Sequence, residues 1–349
     1  MRNRYLDLLR AVATVRVVVY HLTGWTTLTV VLPAMSVMFA LAGSLMAASL
    51  DRFGVWAVER RIRRLLPSLW VIAAIAVATM LATGTSAPSA MLLLWGFPLD
   101  TPEATGWWMQ GLSHTWYLRD FLWMVLLSPL ALPLYRRFPV PVVLAPFAAL
   151  LAITLSGATV PPVAQSLALY GGAWLLGFAH HDGHLERIGR KRLLGIAAAL
   201  AVPAAAWVLT HPGPRGYDLN DIPLGNALWS AAFILVVLGC VRPRVRGHRL
   251  LTVLNARALT IYLWHVPVIV AVTQWGERHD LPLQGWVGIG WRTAVVVLLL
   301  GVVIAAVGWV EDLAAGRRAT LLPGRRIPVP VSPAPAPAPA APSPVSSLR

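Results

Sequence analysis

Ionic groups are scarce in this chain. Of its 349 residues only 12% are charged and 14 are acidic, against about a quarter charged in an ordinary soluble domain. Too few ions remain to cover a water-facing globule. Cysteine occurs once, at Cys240, which excludes an internal disulfide and leaves thiol chemistry without a partner; inside its apolar run it reads as packing. Lysine also occurs once, at Lys191, so the basic charge is almost entirely arginine. No GxSxG elbow, phosphate-binding P-loop or dinucleotide fingerprint is present, and no internal repeat suggests an inverted-repeat transporter. What is present is apolar: 57% of residues are hydrophobic and the mean hydropathy is +0.67. This composition belongs to an all-α integral membrane protein.

Apolar runs long enough to span a bilayer, roughly 17 to 25 residues, occur at about 6–23, 28–49, 65–83, 114–135, 140–157, 162–179, 193–210, 222–241, 252–273 and 287–310. The pattern predicts about ten transmembrane helices. The first run is short and charged at both ends, without a small-residue cleavage site, so it does not read as a removable signal peptide. The formal net charge of +15 would suit nucleic acid, but the arginines fall in alternate loops. One side holds Arg2 and Arg4, then Arg52 to Arg64, Arg136 and Arg137, Arg187 to Arg192, Arg242 to Arg249, and Arg317 to Arg326; the other holds Arg215 and Arg278. The positive-inside rule then predicts a multi-pass protein of the cell membrane with both termini cytoplasmic. The basic charge is topological, and no nucleic-acid partner is expected. Residues 1–313 form the expected membrane domain and 314–349 a basic, Pro/Ala-rich tail. From Pro328 to Pro344 proline removes donors and fixes φ, so a disordered cytoplasmic extension is expected there.

Against this apolar background the polar exceptions stand out. Asp7, Arg10 and His21 lie in the first span, where a charge at the bilayer centre costs at least roughly 2.5–3.5 kcal/mol. At 100° per residue the eleven steps from Arg10 to His21 complete about three turns plus 20°, and Asp7 to Arg10 is an i, i+3 pair, so all three share one stripe. An Asp7–Arg10 interfacial pair with a snorkelling arginine would account for the stripe without chemistry. His21, however, lies some 22 Å along a helix entering at Leu6, beyond the midplane of a roughly 30 Å core. A histidine there suits general-base work.

Other motifs follow. In "ERRIRRLLPSLW", Arg61 and Arg64 are neighbours on a helical face, and adjacent guanidinium forks suit phosphate groups; the same arginines would also serve as a positive-inside loop, with Pro67 opening the next span. In "HTWYLRDFLWMVLLSPL", Arg119 and Asp120 predict an ion pair or polar wall, while Trp116 and Tyr117 could belong to an aromatic belt. In "ARALTIYLWHVPV", His265 follows an aromatic run inside the ninth span, where structural and functional roles are equally open. "HHDGH", His180 to His184, has metal-like composition but no evident second ligand cluster, so no metal site is expected.

Together these residues resemble the acyltransferase family 3 of integral membrane O-acyltransferases, whose members acylate sugars, cell-envelope glycans and some antibiotics. The resemblance runs from about Tyr5 to Asp312. Its most specific element is an arginine, ten residues and a histidine on the first span, matched by Arg10 and His21; "FALAGS" from Phe39, "RIRRLLP" from Arg61, "TWYL" from Thr115 and "YLWH" from Tyr262 match further elements. Two departures stand out: Ala42 replaces the usual serine, and the glutamate that many envelope-modifying members carry after the tryptophan is out of register, with Asp120 one position earlier.

The resemblance implies about ten helices around a cavity and a cytoplasmic acyl-CoA, acetyl-CoA in the first instance, as donor substrate, with no permanently bound cofactor. The acceptor would be a hydroxyl of a carbohydrate, envelope glycan or small secondary metabolite. In that scheme Arg61 and Arg64 hold CoA phosphates, His21 deprotonates the acceptor or carries the acyl group, Arg10 stabilises pantetheine or the oxyanion, and Asp7 fixes Arg10. Trp116, Asp120 and His265 are further site candidates. The alternatives are a transporter or flippase of a glycolipid or acylated metabolite, using His21 for proton coupling without CoA, or a non-catalytic membrane partner.

Overall fold

The computed structural model describes residues 4–84, 96–100, 104, 106–241, 243, 245–246 and 248–321. The proline-rich tail lies outside these residues, as do Arg2, Arg242, Arg244, Arg325 and Arg326. The described residues are helical, with no strand among them. In chain order the helices are α1 (Arg4–Thr23), α2 (Thr27–Val31), α3 (Ala34–Phe53), α4 (Trp56–Ala82), α5 (Trp107–Gly111), α6 (Trp116–Arg137), α7 (Pro139–Ser156), α8 (Pro162–His181), α9 (His184–Ile188), α10 (Arg190–Thr210), α11 (Pro223–Ile234), α12 (Arg249–Ala256), α13 (Ala258–Arg278), α14 (Gly285–Val307) and α15 (Trp309–Ala314). A π-helical turn, Leu235–Cys240, extends α11. Ten of these helices correspond to the ten apolar runs.

Eight spans are long and apolar enough to cross a bilayer by length and composition, with α2 and α3 counted as one. The remaining two long helices, α1 and α8, are more polar, α1 through Arg4, Asp7, Arg10 and Arg16. Both are packed by neighbours: α1 lies against α3, α13 and α14, and α8 against α3, α7 and α11. Helices dominate because lipid offers no partner for backbone N–H and C=O groups, which a helix satisfies internally. Prolines open α7, α8 and α11, where a missing N–H costs nothing. The structure moves one expected boundary substantially. Pro67 lies inside α4, which starts at Trp56. The arginine cluster is thus helical, supported by an i, i+4 ion pair between Glu59 and Arg63. The ninth span also starts later than expected, at Ala258, because residues 249–256 form the separate helix α12.

The tightest crossing joins α3 to α8. A Cβ added at Gly43 would lie 2.2 Å from the Trp174 carbonyl oxygen, and one at Gly177 2.1 Å from that of Ala40. Backbone meets backbone, the small-residue contact favoured between membrane helices. Below it, Ser44 Oγ and His180 Nδ1 lie 2.9 Å apart. Gly177→Val should force the helices apart, a steric cost of about 1–3 kcal/mol or more. The expected result is a lower melting temperature in detergent; an unchanged one would mean that the crossing yields without cost. At the outside of the bundle α7, α10 and α14 are mostly exposed, as lipid-facing helices are.

Candidate active site

A cavity of about 760 Å³ is enclosed by α1, α3, α4, α6 and α13 and flanked by Asn255 and the α15 segment. Its position follows from the helix faces. On α3 the lining residues run from Met38 to Phe53, fifteen steps or roughly 22 Å of helix. The cavity therefore follows most of a span. At the arginine-rich end, Arg52, Arg60, Arg61, Arg63 and Arg64 line it; Arg10, Tyr117 and Tyr262 also do so. Arg60 lies 4.1 Å over the Phe53 ring and Arg52 5.1 Å from the same ring centre, so one aromatic residue organises two guanidinium groups.

Six arginines face one carboxylate, Glu311. Glu311 is buried and accepts from Thr260 Oγ1 at 3.0 Å and from the Thr260 and Leu259 amides at 3.3 and 3.4 Å. It thereby satisfies orphan donors at the N-terminus of α13. Burial pushes its carboxyl up from the usual value, with the hydrogen bonds from Thr260 and Leu259 pulling the other way. The cavity retains a strong positive excess, suited to a polyanionic ligand.

Beside the cavity lies a separate small gap of about 10 Å³ between Thr14, Val17, Val18, Met35, Met38, Tyr262 and His265. Met38 and Tyr262 border both spaces. Beyond the gap the histidines gather. The rings of His21 and His265 are 5.1 Å apart, and those of His265 and His114 4.9 Å. His265 and His114 are buried, whereas His21 is solvent-accessible. Tyr262 donates from its hydroxyl to the His114 carbonyl at 2.5 Å, tying α13 to the turn before α6. Along α1 the order is thus Arg10 in the cavity, Thr14 and Val17 at the gap, and His21 beyond it.

One residue before His21, Tyr20 donates to Asp218 at 2.5 Å and accepts from Arg215 at 2.6 Å, while Arg215 forks onto Asp221 at 2.9 and 2.6 Å. This anchors the 211–222 connection to α1 one residue before His21. The Arg215 guanidinium, hydrogen-bonded to Asp221, holds that carboxyl below its usual range.

A family model described as an acyltransferase domain, of the third acyltransferase family, matches residues 3–310, nearly the whole chain. The chain belongs to this family. It is a multi-pass membrane acyltransferase. No curated protein and no solved structure matches it.

Within the acyltransferase bundle, Arg10, Arg61 and Arg64 come together on the cavity, although Arg10 is some fifty residues from the other two in sequence. His21 and His265 meet near the small gap beside it. Asp7 is not among the lining residues; its carbonyl accepts from Asn255 at 2.8 Å. Trp116 and Asp120 also lie off the cavity: Trp116 stacks on Tyr170 at 5.6 Å, and Asp120 takes two 2.8 Å contacts from Arg119, the ion pair expected from the sequence. Ala42, the departure from the usual serine noted in the sequence, lines the cavity.

Sequence reading did not single out His114, Tyr262 or Glu311. The first two stand in motifs already quoted; Glu311, just past the last span, left no comparable signal. The HHDGH segment does acquire further company. His181 and Asp182 lie near Asp51, with ligand atoms within 4.8 Å of one another. Arg136 donates to both carboxylates at 2.8–2.9 Å, and His181 contacts Asp51 at 2.9 Å. These groups form an ion-pair clamp between the ends of α3, α6 and α8.

Proposed function

We propose that this acyltransferase moves an acyl group, acetyl in the first instance, from acyl-CoA to a hydroxyl of a carbohydrate, envelope glycan or small secondary metabolite. The observation that carries the reading is the arginine-lined cavity, roughly 22 Å long on the α3 rise, with two contacting histidines near the small gap that shares Met38 and Tyr262 with it. Guanidinium groups pair bidentately with phosphate oxygens, so Arg61 and Arg64 are assigned the CoA phosphates. The length matches an extended pantetheine arm, with Arg10 beside its path to stabilise polar groups or the developing oxyanion. His21, accessible beyond the gap, serves as base toward the acceptor hydroxyl. Both termini and the arginine-rich end are assigned to the cytoplasm by the charge rule. The acyl group would cross most of the membrane while the nucleotide stays at the cytoplasmic mouth.

Purified protein with acetyl-CoA and an acceptor mixture should release CoA thiol saturably. A protein that transported an acylated lipid without chemistry would release none, and that result would overturn the reading. A double Arg61→Ala, Arg64→Ala variant should raise the KM for acyl-CoA about tenfold or more, with kcat changing less, because these groups touch a part of the donor that does not react. An unchanged KM would move the donor site elsewhere. In a Cys240→Ser background, a Glu59→Cys variant should label only from the cytoplasmic face; labelling from outside would reverse the assigned orientation.

A further inference from the structure

The donor cavity does not reach His21. Between the small gap beside it and the accessible histidine stands His265, fully buried on α13. Its ring touches the His21 ring on one side and the His114 ring on the other. It also borders the small gap that shares Met38 and Tyr262 with the cavity.

The proton positions on His265 follow from its partners. Nδ1 lies 2.7 Å from the Tyr262 carbonyl oxygen. A carbonyl only accepts, so Nδ1 carries the hydrogen and Nε2 the lone pair. Nε2 is buried and has no hydrogen-bond partner among the described residues. A buried acceptor left open carries an uncompensated desolvation cost. Thr14 does not donate to it, since its hydroxyl donates to the Arg10 carbonyl at 3.0 Å. An oriented imidazole with an open lone pair, bordering the gap beside the donor cavity, has the arrangement of a general base.

We propose that His265 is a second catalytic residue of the acyl transfer, holding the proton between His21 and the sulphur of the departing thiol. The proposal rests on the acyl-thioester reading above. As the acceptor oxygen attacks, its proton passes to His21 and the new C–O bond forms. The C–S bond breaks with its electron pair going to sulphur. His21 gives a proton to His265 Nε2, and His265 returns it from Nε2 to the thiolate, so both histidines end neutral and the products are the ester and free thiol. Throughout, Nδ1–H stays on the Tyr262 carbonyl, which stabilises the transient imidazolium. The division of labour matches the geometry: the accessible ring meets the acceptor, and the buried ring meets the donor.

Two substitutions separate this role from packing. His265→Asn places an amide N–H near the Nδ1 position, keeping the bond to Tyr262 but removing the basic nitrogen. His265→Gln carries its amide near the Nε2 position, where it can hydrogen-bond but not hold a proton. With the full chain in detergent and acetyl-CoA as donor, both should lose about 100-fold or more in kcat, the lower end of general acid–base contributions. The KM for acetyl-CoA should stay within about threefold, since the lost step follows binding. Folding of each variant is read from its melting temperature with and without acetyl-CoA. If either folded variant keeps more than a third of the wild-type kcat, or if the loss falls mainly on KM, His265 only packs. If wild-type protein releases no thiol from acetyl-CoA, the donor reading itself fails, an outcome distinct from release by wild type and variant alike.

Discussion

Replacing His21 with alanine is expected to reduce kcat for acyl transfer by about 10²- to 10⁴-fold, the usual worth of a positioned general base, while the protein inserts, purifies and melts as the wild type does. The asymmetry between these effects comes from where the ring sits. His21 is solvent-accessible at the end of α1, and its ring contacts are with Tyr20 and His265; truncation leaves the buried apolar residues of α1, Ala13, Val17 and Leu22, in place. Its neighbour Tyr20 anchors the outer connection through Asp218 and Arg215, and that anchor remains. The measurement is thiol release against enzyme concentration, beside a melting curve in the same detergent. Retention of more than half the wild-type rate would remove His21 from the chemistry. A large loss of both activity and melting temperature would mean that the ring supports the structure.

The sequence made the helices legible because membrane spans are written in long apolar runs, and it made the arginine-rich end legible because charge is tolerated only outside them. Its errors have physical causes. Arginine is a good helix former, and with Glu59 pairing to Arg63 the basic stretch before Pro67 continued as helix, carrying Arg61 and Arg64 onto the wall of the cavity. Proline inside α4 was a poor boundary signal because membrane helices accommodate such freed carbonyls. The stripe geometry groups Asp7, Arg10 and His21 on one face of α1, but one helix cannot reveal its neighbours. Tyr262, Glu311 and His114 enter the site through the arrangement of α13, α15 and the turn before α6, and that order around the bundle is a tertiary fact. The orphaned Nε2 of His265 is likewise invisible until the ring is placed. Trp116 and Asp120 lie off the cavity, where the stacking on Tyr170 and the pairing with Arg119 account for their positions.

The other large effect is expected far from the histidines. Asp312→Ala should destabilise the protein by about 3–5 kcal/mol, the usual result of stripping one partner from a buried ion pair. Arg257 is fully buried, and its Nη2 donates to Asp312 Oδ2 at 2.7 Å; it also donates to the Thr320 carbonyl. Asp312 is almost as buried and further accepts from Arg317 at 2.9 and 3.0 Å and from the Thr320 amide and hydroxyl at 3.2 and 3.0 Å. Burial alone would raise this carboxyl, but the hydrogen bonds from Arg257, Arg317 and Thr320 prevail and hold it at about 2, below its ordinary 3.8. Its stabilising contribution is therefore present above the ordinary value and lost as pH falls through about 2. The consequence reaches the site because Arg257 immediately precedes α13, the helix that carries Tyr262 and His265, and Glu311 beside Asp312 binds the first turn of that helix. Thermal unfolding of Asp312→Ala should show the loss, and a paired Arg257→Met, Asp312→Leu variant should recover much of it, since apolar replacement of a whole buried pair is often neutral. If Asp312→Ala melts with the wild type, the network is incidental to the fold. If the paired variant recovers nothing, the carboxylate's bonds to Arg317 and Thr320, rather than relief of a stranded Arg257 charge, hold the segment in place; if it is less stable than the single one, Arg257 stabilises the segment on its own through the Thr320 carbonyl.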